Sequence, residues 1–159
     1  MSLSQFSVMW NNYFNEKSVD YVLTSVFKEG TTPEATRKWA FEYIKNTCCI
    51  RLSHALNSTA HKIPYIKDAT ISGIKGKYIY RVSDMTKYLK CTYGSPNIVK
   101  SGTPADLVQA IAGTQGIICF NVSVWSDATG HYDLWDGSGI RYSQYFDVAD
   151  SIMLWRVDE

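Results

Sequence analysis

Apolar residues recur at helical spacing through the first sixty positions of the chain. Phe6, Met9, Trp10, Tyr13 and Phe14 form one such face, and Val19, Val22, Leu23 and Val26 form a second. Pro33 and Glu34 open a third segment, in which Trp39, Ala40, Tyr43 and Ile44 share a side; proline suits a first helical turn because its missing N–H has no partner there anyway. A fourth run follows Asn46, with Cys48, Leu52, Ala55, Leu56 and Thr59 on one side. HKIPYIKDATISGIKGK (61–77), with a proline and two glycines, reads as a loop.

Beyond it the pattern changes. KYIYRV (77–82) has the aromatic and β-branched content of a strand. Ser83 then reads as the cap of a helix carrying Met85, Tyr88 and Leu89, stopped by Gly94 and Pro96. Thr103-Pro104-Ala105-Asp106 resembles a capping box opening a short helix to Ile111. GIICFNVSVW (116–125), GHYDLWD (130–136) and SIMLWRV (151–157) read as strands, the first two joined by the turn SDATG. Helices first and antiparallel strands later predict an α+β fold, with residues 1–159 as one domain.

Composition narrows the function. A chain of 159 residues with 45% hydrophobic and 14% aromatic residues can bury a core without metals or disulfides. The net charge of +1 argues against a nucleic-acid binder. Residues 1–100 hold 14 Lys/Arg against 7 Asp/Glu, while 101–159 hold 2 against 8, a split of +7 and −6 expected to reflect two halves that pair with each other. The N-terminus lacks the basic region and small-residue cleavage site of a secretory signal, and no apolar run is long enough to span a bilayer. The expectation is a chain made in the cytoplasm. Its four cysteines (Cys48, Cys49, Cys91, Cys119) show no disulfide spacing, and Cys91 and Cys119 are expected to be buried thiols.

The stretch NTCCIRLS (46–53) raises a chemical question. A helix N-terminus lowers a thiol pKa, because unpaired N–H groups and the helix dipole favour the anion, and Cys48 or Cys49 sits at such a start. A thiol nucleophile also needs a base, and the histidines are His54, His61 and His131. His131 enters a strand in GHYDLWDG, where the period of two places His131, Asp133 and Trp135 on one face. A carboxylate on that face can orient the imidazole and select its tautomer. Against this stands core packing, the ordinary role of a cysteine. A zinc site from Cys48, Cys49 and His54 lacks the paired ligand spacing of structural zinc sites, and neither metal nor cofactor is expected. His54 and His61 are expected at the surface or in caps. Trp125, Trp135 and Trp155 can stack on sugar rings, with core packing the simpler expectation.

NTCCIRLSHALN, YIYRVSDMTKYL, GIICFNVSVWSDATGHYDLWDG and SIMLWRV together resemble the fourth family of type VI secretion amidase effectors, papain-like NlpC-type cysteine peptidases. The matching blocks keep that family's order and cover most of the chain from residue 46; residues 1–45 resemble it loosely. The resemblance implies a catalytic cysteine at a helix start packed against an antiparallel sheet. It implies cleavage of the γ-D-glutamyl to meso-diaminopimelate bond in the peptide stem of peptidoglycan. It implies delivery by the type VI machinery into the periplasm of rival bacteria, and a cognate immunity protein that protects the producer. Membrane partners are not implied.

Carried onto this chain, the resemblance gives Cys48 the nucleophile position and His131 the base position. Cys49 stands where relatives often have proline, a first-turn position. Arg51 and Ser53 share the motif and are expected in surface or capping roles, with support of the site as the alternative. Some relatives carry the acid about ten residues past the histidine, where this chain has Ile140, Arg141 and Tyr142. Asp133 is therefore the first choice for the acid, with Asp136 and Asp147 behind it. The oxyanion is expected at N–H groups of the helix start, including that of Cys48. The other functions in view are a thiol acyltransferase or deamidase on the same scaffold and a catalytically silent wall-binding module.

Overall fold

Four amphipathic runs become four helices in the computed structural model, which describes residues 2–15, 18–125 and 130–159. They are α1 (Phe6–Asn12), α2 (Val19–Val26), α3 (Glu34–Tyr43) and α4 (Cys48–Asn57). Ser18 caps α2, its Oγ accepting from the Tyr21 N–H at 3.1 Å. α5 (Val82–Tyr93) ends at Gly94, whose φ of 88° suits a residue without Cβ. α6 (Pro104–Ile111) opens on a complete capping box: Thr103 Oγ1 accepts from the Asp106 N–H and Asp106 Oδ2 accepts from the Thr103 N–H.

β1 (Thr70–Gly73) and β2 (Gly76–Ile79) form an antiparallel hairpin. β3 (Ile98–Ser101), β4 (Gly116–Asn121), β5 (Gly130–Trp135) and β6 (Ser151–Arg156) form an antiparallel sheet in the order β3-β6-β4-β5. The fold is α+β, as the pattern predicts, with α4 packed on β2 and β5.

Several boundaries differ from the sequence reading. The supposed loop 61–77 contains β1, because Gly76, at φ 118°, lets the chain turn back and pair Thr70 with Ile79. KYIYRV stops being a strand at Ile79, and Val82 already belongs to α5. Ser83 is thus a first-turn residue, and Arg81 precedes the helix while pairing with Asp84 at 2.6 Å. β3 was not anticipated: a short outer strand with little burial carries almost no periodic signal. The 116–125 strand ends at Asn121, and the turn SDATG falls largely outside the described residues. Cys91 is exposed on α5, whereas Cys119 is buried. The two oppositely charged halves pack together, α4 on β5, but among the described residues no ion pair joins them. Each ion pair among the described residues joins groups within one half.

Both faces of the four-stranded sheet are covered, which explains why GIICF reads as a continuous apolar run. Ile117, Cys119, Tyr132, Leu134 and Trp155 pack on α1, α4 and α5, while Ile118, Phe120, Trp135 and Leu154 pack on Leu107 and Ile111 of α6. Helix α4 is enclosed almost all round, so its polar residues pair inside the protein. Ser53 Oγ accepts from the Ile79 N–H at 3.0 Å and donates to the Ile79 carbonyl, and Asn57 Nδ2 donates to the Lys77 carbonyl. These bonds seat α4 on β2, so the expected surface role of Ser53 does not hold.

Gly116 lies in β4, between β5 and β6, where an added Cβ would stand 2.2 Å from the Trp155 carbonyl oxygen. Gly116→Ala therefore forces two paired strands apart. It is expected to cost about 2–3 kcal/mol, a fall in Tm of roughly 6–10 °C, read by thermal unfolding.

Candidate active site

Residues 47–50 turn into α4 with Thr47 as the last non-helical residue. Asn46 supplies the cap: its Oδ1 accepts from the Cys48 N–H at 3.0 Å. Cys48 is thus the first residue of a helix whose dipole favours an anion. The helix starts beside β5, the outer strand of the sheet, which brings Cys48 into the electrostatic reach of His131 and the Tyr132 backbone N–H. At the end of α1, the Tyr13 hydroxyl donates to the Tyr132 carbonyl at 2.8 Å, which fixes the strand at this point.

His131 and Asp133 leave the same face of β5, as the period of two predicts. His131 Nε2 donates to Asp133 Oδ2 at 2.7 Å, which leaves Nδ1 for the Cys48 sulfur. Asp133 is fully buried, and its carboxylate is gripped by backbone: Oδ1 accepts from the Leu134 and Tyr142 N–H groups, and Oδ2 from that of Ser143 at 2.9 Å. The chain at 139–143 runs along the open edge of β5, with the Arg141 N–H donating to the Leu134 carbonyl. The segment in which some relatives are expected to carry the acid therefore contributes backbone donors to an acid located on the strand. Asp136 instead ties its own turn, accepting from the Ser138 and Gly139 N–H groups. Asp147 is exposed and has no contact with His131 among the described interactions.

The electrostatics separate two residues of one type. The Cys49 thiol, 3.9 Å from the Cys48 sulfur, donates to it; this, with the hydrogen bond and charge of His131 and the Tyr132 N–H, outweighs burial and holds Cys48 well below the usual thiol range. Burial and the neighbouring Cys48 charge push Cys49 well above it. Burial disfavours a charged His131, yet its hydrogen bonds and charge interactions with Asp133 and Cys48 prevail and raise it to about 9. Both shifts run in the direction that favours a thiolate–imidazolium pair.

Other expected residues are placed as follows. Arg51 is not at the surface but 1% exposed: Nε donates to Thr47 Oγ1 and Nη1 to the Phe14 carbonyl, both at 3.0 Å, while the guanidinium lies 4.1 Å over the Tyr142 ring. His54 is half-buried against Phe14, with Nδ1 2.8 Å from the Tyr78 hydroxyl, and His61 Nε2 accepts from the Ser4 N–H. Both sit in structural networks outside the cysteine site. Trp135 and Trp155 are core residues, whereas half-buried Trp125 stacks edge-on with Tyr145, whose ring is 5.0 Å from that of His131. Among the described residues, no group of three or more His, Cys, Asp or Glu side chains is arranged to hold a metal ion.

Three contributors escaped the sequence reading. Asn46 had a usable signal, an Asx residue just ahead of a helical face. Tyr142 and Ser143 act through backbone N–H groups, which side-chain identity does not report.

Residues 44–155 match the profile of the family described as type VI secretion system (T6SS), amidase effector protein 4. Among solved structures, the effector Tae4 of Salmonella typhimurium, bound to the immunity protein Tai4 of Enterobacter cloacae, aligns with 28% identity and a TM-score of 0.78, covering 97% of this chain and 99% of that one. Tae4 of Enterobacter cloacae aligns with 30% identity and a TM-score of 0.76, covering 99% of both chains. The Tae4–Tai4 complex of that organism aligns with 28% identity and a TM-score of 0.74 over 99% of both. No functionally curated sequence matches this chain. The structural likeness extends over residues 1–45, where the motif resemblance is loose, and the profile match spans most of the chain: it belongs to the type VI secretion amidase effectors of family 4.

Proposed function

We propose that Cys48, His131 and Asp133 act together to hydrolyse the γ-D-glutamyl to meso-diaminopimelate bond of the peptidoglycan stem. The observation that carries this reading is His131 hydrogen-bonded at Nε2 to the buried Asp133 carboxylate, with the Cys48 thiolate and the imidazolium stabilising each other's charge. The Cys48 thiolate attacks the γ-glutamyl carbonyl, and the oxyanion forms at the start of α4, where the Cys48 N–H exchanges Asn46 Oδ1 for it. The His131 imidazolium protonates the departing amine of diaminopimelate, leaving a thioester on Cys48. His131, now neutral, takes a proton from water, which attacks the thioester and releases the γ-carboxylate with the thiolate restored. Asp133 holds the ring and offsets its positive charge.

In this reading residues 1–159 act as one amidase domain. Family membership and the relatives' complexes with Tai4 support delivery into a target periplasm and neutralisation by an immunity protein in the producer. No helix among the described residues is long and apolar enough to cross a membrane.

Digestion of purified sacculi followed by chromatography and mass spectrometry tests the reaction. A new free amine on diaminopimelate is expected; a transferred or deamidated product would sink the hydrolase reading, and binding without any product would leave a wall-binding module. In the same assay Cys48→Ala is expected to lose at least about 10³-fold in kcat, and Asp133→Asn about 10²-fold. Asp136→Ala and Asp147→Ala are expected to stay within about threefold of the unmodified chain, since neither reaches His131.

The pH profile follows from the thiolate–imidazolium pair. The thiolate is present above the depressed Cys48 pKa and the imidazolium below that of His131, so kcat/KM is expected to be flat through neutrality and to fall on the alkaline side near 9. Cys49→Ala removes a donor to the thiolate and is expected to move the acid limb to higher pH, while Cys49→Ser keeps a donor and moves it less.

A further inference from the structure

The Asp133 carboxylate depends on two N–H groups from the segment that follows β5, outside the strand itself, and something must hold that segment in register. Tyr142 and Ser143 are only half-buried and belong to no helix or strand. Just before them Arg141 is tied by its N–H to the Leu134 carbonyl and by Nε to the Trp10 carbonyl, and beyond that point their placement is held by a side chain on the Cys48 helix. Arg51 lies three residues after Cys48, one turn further along the same side of α4. Its fork is fixed at two points, on Thr47 Oγ1 and on the Phe14 carbonyl, so the guanidinium plane cannot swing. The Tyr142 ring stacks on that plane at 4.1 Å, and a buried cation over an aromatic face is worth more than an exposed one. Tyr142 thereby presents its N–H to Asp133 Oδ1 at 3.2 Å, Ser143 presents its own to Oδ2 at 2.9 Å, and the Tyr142 ring stands 6.1 Å from that of His131.

We propose that Arg51 is a positioning residue for the acid and base: anchored on the nucleophile's helix, it holds Tyr142 and with it the backbone donors that aim Asp133 at His131. The proposal rests on the assignment of Cys48 and His131 made above. A lysine cannot span Thr47, Phe14 and the Tyr142 face at once, so an ammonium does not replace the fork. Losing the clamp frees the 142–143 backbone, weakens the hold of Asp133 on His131 and makes the imidazolium less stable.

The test uses the full chain with Cys91→Ser, which removes an exposed thiol that would compete for alkylating reagent. Two profiles are measured for Arg51→Met, Arg51→Lys, Tyr142→Ala and Tyr142→Phe: the rate of Cys48 alkylation by iodoacetamide against pH, and kcat/KM on sacculi against pH. Arg51→Met and Tyr142→Ala are expected to raise the acid midpoint of alkylation and lower the alkaline limb of kcat/KM, each by about one pH unit, with kcat down at least about tenfold and KM within threefold. Arg51→Lys is expected to fall between them and the unmodified chain. Tyr142→Phe keeps the ring and the N–H and is expected to retain both limbs. Folded Arg51→Met and Tyr142→Ala proteins with unmoved limbs would overturn the proposal. Should Arg51→Met fail to fold, Tyr142→Ala against Tyr142→Phe decides it, equal profiles of those two being the overturning result. Alkylation needs no substrate, so a failure to cleave sacculi would count against the proposed reaction and leave this test standing.

Discussion

A 2.7 Å hydrogen bond joins His131 Nε2 to Asp133 Oδ2, between two side chains on one face of β5. A fully buried carboxylate is tolerated only where its lone pairs are engaged, and the surroundings of Asp133 meet that demand with three backbone N–H groups and one imidazole. Much of the local architecture follows. The 139–143 segment runs along β5 to deliver two of those donors, Arg51 crosses from α4 to hold it, and Tyr13 reaches from α1 to tie the strand at Tyr132. The strand and the segment after it supply the contacts to the oxygen pair, and α1 and α4 hold those two in place.

The two cysteines show how far environment separates like residues. Cys48 and Cys49 are both buried and adjacent, yet one receives hydrogen bonds and the other gives them. A thiol can stabilise a neighbouring thiolate only by keeping its own proton, so the depressed pKa of the first and the elevated pKa of the second are two sides of one contact. Cys49, which the motif alone presents as a bystander where proline would serve, is placed to tune the Cys48 thiol.

What could be read from the sequence was what depends on local periodicity. The period of two in GHYDLWD put His131 and Asp133 together, and the helical face after Asn46 put Cys48 at a helix start; both hold in the structure. What could not be read depends on distant packing. Arg51 and Ser53 look like solvent-facing residues because a polar side chain in a helix usually is one; they are buried because α4 is walled in by β2 and by the 142 region. Strand β3 was silent because an outer strand of four residues needs little apolar content. Backbone donors such as those of Tyr142 and Ser143 leave no trace in residue identity at all.

Carrying the imidazole and its carboxylate partner on one strand has a consequence for how such a chain can vary. Two residues apart on β5, His131 and Asp133 keep their separation whatever happens to the length of the turn that follows. An insertion or deletion after Trp135 changes how firmly the carboxylate is gripped but not where it is attached. A lineage built this way is free to lengthen, shorten or reshape the turn at 137–139, ahead of the donors at 142 and 143, without having to re-evolve the spacing between imidazole and carboxylate.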